Sequence, residues 1–248
     1  MLVVGLCLLQ INETRVFTMK YMGSKARLSA KILDVMAVSG RDYVEPFAGG
    51  MNMIAAVDGA NSRHANELNR YVVAMFEALV SGWVPPHITR EDYSNLRRLV
   101  GEDHVIGWAG IACSYSGKWF GGYAGMVETK QGFRDYQKEA LNNALKQAEK
   151  LQGVSFSTCC YQDLEIPDGS LVYCDPPYAG TTGYKDSFDS VSFWRWAKRM
   201  ARYCDVYVSE YTAPDFATEI LAIPVKSSLS ANGCSGGSKA SVEKLFRL

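Results

Sequence analysis

The sequence predicts an α/β protein built on a mostly parallel sheet with helices on both faces. Three observations lead there. Short runs with strand character recur at residues 42–47, 63–66, 154–158, 170–174 and 205–209. Segments of helical periodicity lie between them, and such alternation argues for parallel strands covered by helices. One stretch of different character, residues 83–130, interrupts the alternation.

Residues 1–10 are apolar (MLVVGLCLLQ) but lack the basic flank and small-residue cleavage site of a secretory signal. Residues 1–18 are expected to be a loosely held extension ahead of Met19, or the product of an upstream start codon. A helix is expected over 24–38, where Leu28, Ile32, Val35 and Met36 recur at helical spacing. Ser24 suits its N-cap and Gly40 its end. Residues 42–47 (DYVEPF) read as a strand running into a Gly-Gly turn, with a helix over 52–57 behind it. Residues 63–66 form a second strand, and 69–79 a helix with Val72, Val73, Phe76 and Leu79 on one face. The interrupting stretch holds Pro85-Pro86, tryptophans in loop-like surroundings, and Gly107, Gly110, Gly117, Gly121, Gly122 and Gly125. Helices near 90–100 and 135–151 flank it, so it reads as an insert. Beyond the strands that resume at 154, a helix is expected over 192–203 and a further strand over 242–246.

The bulk composition sets bounds. A chain of 248 residues accommodates one large α/β domain with a smaller insert. No apolar run reaches the ~18 residues that a membrane span needs. With 26 basic and 26 acidic residues the formal net charge is zero. That argues against coating nucleic acid by charge alone and leaves a local basic face open. The seven cysteines form no C-x-x-C pair, and Cys159-Cys160 are adjacent. They read as reduced thiols of a cytoplasmic protein. His64, His87 and His104 are scattered, so neither a metal site nor histidine catalysis is expected.

Three segments carry chemistry. In Glu45-Pro46-Phe47-Ala48-Gly49-Gly50 a strand ends and the chain turns on two glycines. A backbone without Cβ can approach a ligand there, at the strand end where open α/β sheets bind ligands; a plain loop has the same appearance. Glu67 follows about 20 residues later, the offset of an acidic residue that accepts from ribose hydroxyls. A solvated loop carboxylate is the alternative. Asp175-Pro176-Pro177-Tyr178 follows the apolar strand 170–174. The prolines stiffen the backbone and remove two donors. A carboxylate and a carbonyl side by side can accept from one amino group, and Tyr178 can stack on the base that bears it. A Pro-Pro turn with Tyr178 as a packing residue is the alternative. Cys174, beside Asp175, reads as core.

Taken in order, EPFAGG, then Asn66-Glu67-Leu68-Asn69, then DPPY resembles the Dam-type (D12 class) N6-adenine-specific DNA methyltransferases. Tyr21-Met22-Gly23-Ser24-Lys25 resembles that family's N-terminal motif, and Tyr207-Val208-Ser209-Glu210-Tyr211 its strand after DPPY. The likeness covers nearly the whole chain beyond residue 19. Met51 stands where many relatives carry a third glycine, and Glu67 where many carry Asp. The resemblance implies a Rossmann-like class I methyltransferase sheet, formed by residues 19–80 and 151–248. A smaller, mainly helical target-recognition region, residues 81–150, is inserted in it. It implies S-adenosyl-L-methionine as cofactor and an adenine flipped from double-stranded DNA as substrate. It further implies a monomer, or a dimer on DNA, of the orphan kind carried by phages or mobile elements, with no membrane and no metal.

Carried over position by position, Tyr21 and Lys25 would line the cofactor pocket. Glu45, Phe47, Gly49 and Gly50 would form the loop beneath the cofactor, and Glu67 would hold its ribose. Asp175 would sit between cofactor and adenine. With the Pro176 carbonyl it would accept both amino hydrogens, and Tyr178 would stack. DNA contacts are expected from Arg97, Arg98, Lys118, Lys130 and Arg134 in the insert, and from Tyr184 and Lys185 after DPPY. Two other readings stay open: a methyltransferase of this fold acting on RNA or protein amide nitrogen, and an inactive DNA-binding module.

Overall fold

A computed structural model describes residues 18–130, 132–178, 188–226 and 240–248. The first elements are α1 (Ser29–Met36), β1 (Asp42–Glu45), β2 (Ser62–Asn66) and α2 (Arg70–Val80). Then come α3 (Arg90–Leu96), α4 (Asp103–Ile111), the hairpin strands β3 (Met126–Thr129) and β4 (Gly132–Asp135), and α5 (Tyr136–Lys150). The last are β5 (Val154–Ser157), β6 (Leu171–Cys174), α6 (Ser190–Met200), β7 (Asp205–Glu210), β8 (Thr218–Lys226) and β9 (Ala240–Arg247).

Seven strands form one sheet in the order β5-β2-β1-β6-β7-β9-β8. The five from β5 to β7 are parallel, and β9 pairs antiparallel with both β7 and β8. Side-chain alternation divides the core between the two faces. Leu171, Tyr173, Tyr207 and Leu245 join one apolar cluster with side chains of α1, α2, α4 and α5. Val172, Cys174, Val206 and Val208 join a second with Phe193, Trp194, Trp196 and Ala197 of α6. All four residues of β6 are buried, as befits a central parallel strand covered on both sides. This is the expected α/β architecture, a mostly parallel sheet with helices on both faces.

Local chemistry sets several boundaries. Asn69, Asp135 and Asp189 cap α2, α5 and α6 with side-chain oxygens, and Thr89 with Asp92 closes a capping box on α3. The helix expected over 24–38 is shorter. Ser24 accepts instead from the Ala26 N–H and from Asn52. The helix ends at Ala37, which adopts the left-handed conformation ahead of Gly40. The helix expected over 52–57 is a single 3-10 turn, Ile54–Ala56.

Helix α4, strand β8 and the β3–β4 hairpin also depart from the sequence expectation. Helix α4 runs through Gly107 and Gly110, which read as loop residues because glycine weakens a helix. Their role is proximity: a Cβ on Gly107 would lie 2.0 Å from the Tyr71 carbonyl oxygen, and one on Gly110 2.4 Å from the Trp119 ring. Strand β8 contains Pro224, which argues against a central strand; β8 is an edge, where a missing donor is tolerated. The hairpin β3–β4 is exposed along most of its length and carries Met126 and Phe133 outward. The rest of residues 81–150 is mainly helical, and Ile88, Tyr93, Ile106 and Trp108 share the cluster on the α2 side of the sheet.

Candidate active site

From β1 the chain winds outward to β2 and β5 on one side and to β6 and β7 on the other. The switch point therefore lies between β1 and β6, where open α/β sheets take their ligands at the strands' carboxyl ends. The glycine turn leaves β1 there, Glu67 follows β2, and Asp175 follows β6. Segment 18–25 folds back onto the same edge. The Met19 N–H donates to Gln147 Oε1 (2.8 Å), and Gln147 Nε2 donates to the Gly50 carbonyl (2.8 Å). Asn52 Nδ2 donates to Ser24 Oγ (2.7 Å) and to the Met19 carbonyl (3.3 Å). Gln147 and Asn52, both buried, thus tie the first described residues to the glycine turn. Sequence reasoning passed over both, since a polar residue on an amphipathic helix reads as solvated.

The glycines serve Tyr21. Gly49 has φ +49°, and a Cβ on it would meet the Tyr21 ring at 2.9 Å; a Cβ on Gly50 would meet Tyr21 Cβ at 2.5 Å. Met51 also has positive φ, +54°, at the position where the family resemblance implies glycine. Its fully buried side chain offsets the roughly 1–2 kcal/mol that a left-handed conformation costs.

Lys25 is the centre of the polar cluster. Its side chain is 8% exposed, and Nζ lies 3.1 Å from Asp175 Oδ1 and 3.7 Å from Glu243 Oε2. The same ammonium stands 4.6 Å from the centroid of the Tyr178 ring. The Tyr178 hydroxyl donates to Glu243 Oε2 (2.9 Å), and its ring packs edge-on against Tyr211. Burial works to lower the Lys25 pKa, but the charges of Asp175 and Glu243 outweigh it and hold the group above its ordinary value. Burial raises the Asp175 carboxyl against the pull of Lys25, with Glu243 adding to the rise. Burial, then the charges of Asp175 and Glu243, push the Tyr178 hydroxyl far up, so it stays a donor. Pro176 is buried beside them.

Beneath this cluster, Tyr43 donates to Glu45 Oε1 (2.8 Å) and Tyr173 pairs with Ser209 Oγ (2.8 Å), all buried. Burial pushes the Glu45 carboxyl up to about 8, against the Tyr43 hydrogen bond and with the charge of Asp175 adding to the rise. The sign follows from linkage. The unfolded carboxyl titrates near its ordinary 4.5 and the folded one near 8, so between these values only the folded state holds the proton. Stability therefore falls as pH climbs through that window. Glu45→Gln keeps an acceptor for Tyr43 and removes the titration. Its stability advantage over the parent is expected to grow by up to about 1.4 kcal/mol per pH unit between about pH 5 and 8. Urea midpoints at either end of the window check this, and an advantage independent of pH refutes it.

Glu67 bridges two backbone donors, with Oε2 accepting from Gly49 N–H (3.0 Å) and Oε1 from Asn69 N–H (2.9 Å). Burial raises its pKa against those two hydrogen bonds. Asn66, also passed over as a site residue, binds the Pro46 and Cys159 carbonyls through Nδ2, and Ser157 and the Cys159 N–H through Oδ1. It clamps the ends of β1 and β5 together. Phe47 packs against Tyr161, Phe188 and Phe193 on the α6 side of the sheet.

The basic residues of the insert do not join this cluster. Arg97 and Arg98 are exposed just past α3, Lys118 is exposed before the buried Phe120, and Lys130 is exposed after β3. Arg134 on β4 grips Glu139 through two hydrogen bonds, 2.6 and 2.8 Å. Near it, a cavity of about 230 Å³ opens between Lys20, Tyr115, Arg134, Tyr136 and Asn143. Tyr184 and Lys185 lie outside the described residues. Among the described residues no helix is long and apolar enough to cross a membrane, and no group of three or more His, Cys, Asp or Glu could hold a metal ion.

Comparison with known proteins adds the following. The model of a family described as D12 class N6 adenine-specific DNA methyltransferase matches residues 21–106 and 115–214. Comparison with curated proteins gives no match. Among solved structures the chain is similar to TrmN from Thermus thermophilus, with 10% identity and TM-score 0.41 over 91% of this chain and 48% of that one. It is also similar to the tRNA (m1A58) methyltransferase TrmI from Aquifex aeolicus, with 12% identity and TM-score 0.38 over 88% of this chain and 66% of that one. The chain thus spans less than two thirds of either.

Proposed function

We propose, from the premise that the chain belongs to the D12 class N6 adenine-specific DNA methyltransferase family, that it methylates N6 of an adenine flipped out of duplex DNA. S-adenosyl-L-methionine is the methyl donor in this reading. The observation that carries it is the meeting of Asp175, Tyr178 and Lys25 at the switch-point edge, beside the glycine turn and Glu67.

The donor set fits the cofactor. Each Glu67 oxygen accepts one backbone hydrogen bond and keeps lone-pair capacity for a ribose hydroxyl. Asp175 and Glu243 outnumber Lys25, which suits a ligand bearing a sulfonium cation. Tyr21, Gly49 and Gly50 make up the neighbouring wall, Phe47 anchors the turn from the α6 side, and Glu45 supports it as a neutral acid. When bound, the cofactor supplies an electrophilic methyl group. The chain's own residues prepare the nucleophile. The adenine N6 lone pair is delocalised into the ring, so N6 attacks poorly until it is localised. Asp175 and the Pro176 carbonyl accept the two amino hydrogens and draw the nitrogen toward a tetrahedral shape. Tyr178, steadied by Glu243 and Tyr211, offers its face to the extruded base. The acceleration comes from positioning and electrostatics.

We assign target recognition to residues 81–150. The projecting hairpin with Met126, Lys130 and Phe133, and Lys118 nearby, suits a DNA groove and its phosphates. Arg97 and Arg98 present charge from the end of α3. Arg134 must first exchange Glu139 for a phosphate. Offering radiolabelled donor to duplex DNA, RNA and protein in parallel tests the reading. Label is expected in DNA, recovered after digestion as N6-methyladenine. Label confined to RNA or protein overturns it.

A further inference from the structure

Glu243 lies on β9, beyond the residues that the family model matches. It shares a sheet face with Leu245, which is 1% exposed, so its carboxylate sits at a position whose parity belongs to the core. Its Oε2 meets Lys25 Nζ and the Tyr178 hydroxyl, and the same Lys25 Nζ meets Asp175.

The charge count gives the arrangement a purpose. Lys25 and Asp175 alone make a neutral pair, and a carboxylate neutralised at 3.1 Å is a weaker acceptor for an amino group. During transfer N6 bonds to the methyl carbon as the carbon–sulfur bond breaks, and that bond's electron pair stays on sulfur. The positive charge passes from sulfur to N6, which then returns to neutrality by releasing a proton to solvent. A bare ammonium beside that nitrogen opposes the step. A second carboxylate, 3.7 Å from the same Nζ, makes the cluster net negative and gives the ammonium another place to lean. Glu45, held near pKa 8, adds little negative charge at neutral pH.

We propose that Glu243 is a positioning residue of the adenine site, which draws Lys25 away from Asp175 when the base enters and so frees Asp175 for the amino group. The proposal rests on the function proposed above. In that bound state Lys25 Nζ lies closer to Glu243 than to Asp175, the reverse of the order seen without a base.

Glu243→Gln keeps an acceptor for Tyr178 and removes the charge. It is expected to lower kcat on duplex DNA by roughly 10- to 100-fold, the effect of one unit charge in a partly buried site. Cofactor affinity by calorimetry is expected to stay within about twofold, and Glu243→Asp to recover part of kcat. Parental kcat in E243Q overturns the proposal, as does a loss matched by equal weakening of cofactor binding. A crystal structure of the unsubstituted enzyme with demethylated cofactor and target duplex tests it independently of any variant's folding: Lys25 still nearer Asp175 overturns it. The two readings separate cleanly. An inactive Asp175→Ala with a fully active E243Q sinks this proposal alone, whereas an active Asp175→Ala sinks the function beneath it.

Discussion

Asp175→Ala is expected to lower methyl transfer to duplex DNA by about 10³-fold, the scale for loss of a preorganised electrostatic group. The fold is expected to survive, because Lys25 keeps Glu243 at 3.7 Å and Tyr178 keeps its hydrogen bond to the same carboxylate. The loss therefore falls on the chemical step. The alanine leaves the Pro176 carbonyl as sole acceptor for an amino group with two hydrogens, so N6 stays planar and conjugated. It also turns the cluster from net negative to neutral as positive charge arrives on N6. Single-turnover rates with saturating donor, read beside calorimetric cofactor binding, separate this from weakened affinity. Turnover within about tenfold of the parent removes Asp175 from the chemistry. Parental binding with lost turnover places it there.

The parts of this site that the sequence reveals without the family resemblance lie at strand ends; Tyr21 and Lys25, ahead of α1, come only with the resemblance. EPFAGG, Glu67 and DPPY each follow a parallel strand, and parallel strands deliver their carboxyl-terminal loops to one edge. Local pattern therefore locates them. Glu243 escapes because β9 enters antiparallel between β7 and β8, and only the alternation of Glu243 with the buried Leu245 hints at its face. Helix α4 escapes for a different reason. Gly107 and Gly110 weaken local helix propensity while permitting contact with the Tyr71 carbonyl and the Trp119 ring, a tertiary demand that no short window displays. The start of α1 is misplaced because Ser24 and Lys25 answer to Asn52, Asp175 and Glu243, not to their own helix.

Removing the cation at the centre tests the same cluster through stability. Lys25→Met keeps the aliphatic stem and leaves Asp175 and Glu243 facing one another with no positive charge between them. Breaking a buried ion pair from one side costs about 3–5 kcal/mol. The two carboxylates keep 20% and 17% of their side-chain surface exposed, which places the expected loss near the lower end, about 3 kcal/mol at pH 8. The pH dependence has a definite sign. Without Lys25, burial and the charge of Glu243 raise the Asp175 carboxyl further above its unfolded value, so the folded state binds the extra proton. Its deficit is then smallest near pH 5, where Asp175 can take up that proton, and grows as pH rises through its raised value. Urea midpoints of parent and K25M at about pH 5 and 8 measure it, with unchanged slopes marking a loss of stability alone. A deficit equal at both pH values means that the lysine contributes packing and not charge. In that case the charge count assigned to Asp175 and Glu243 fails with it.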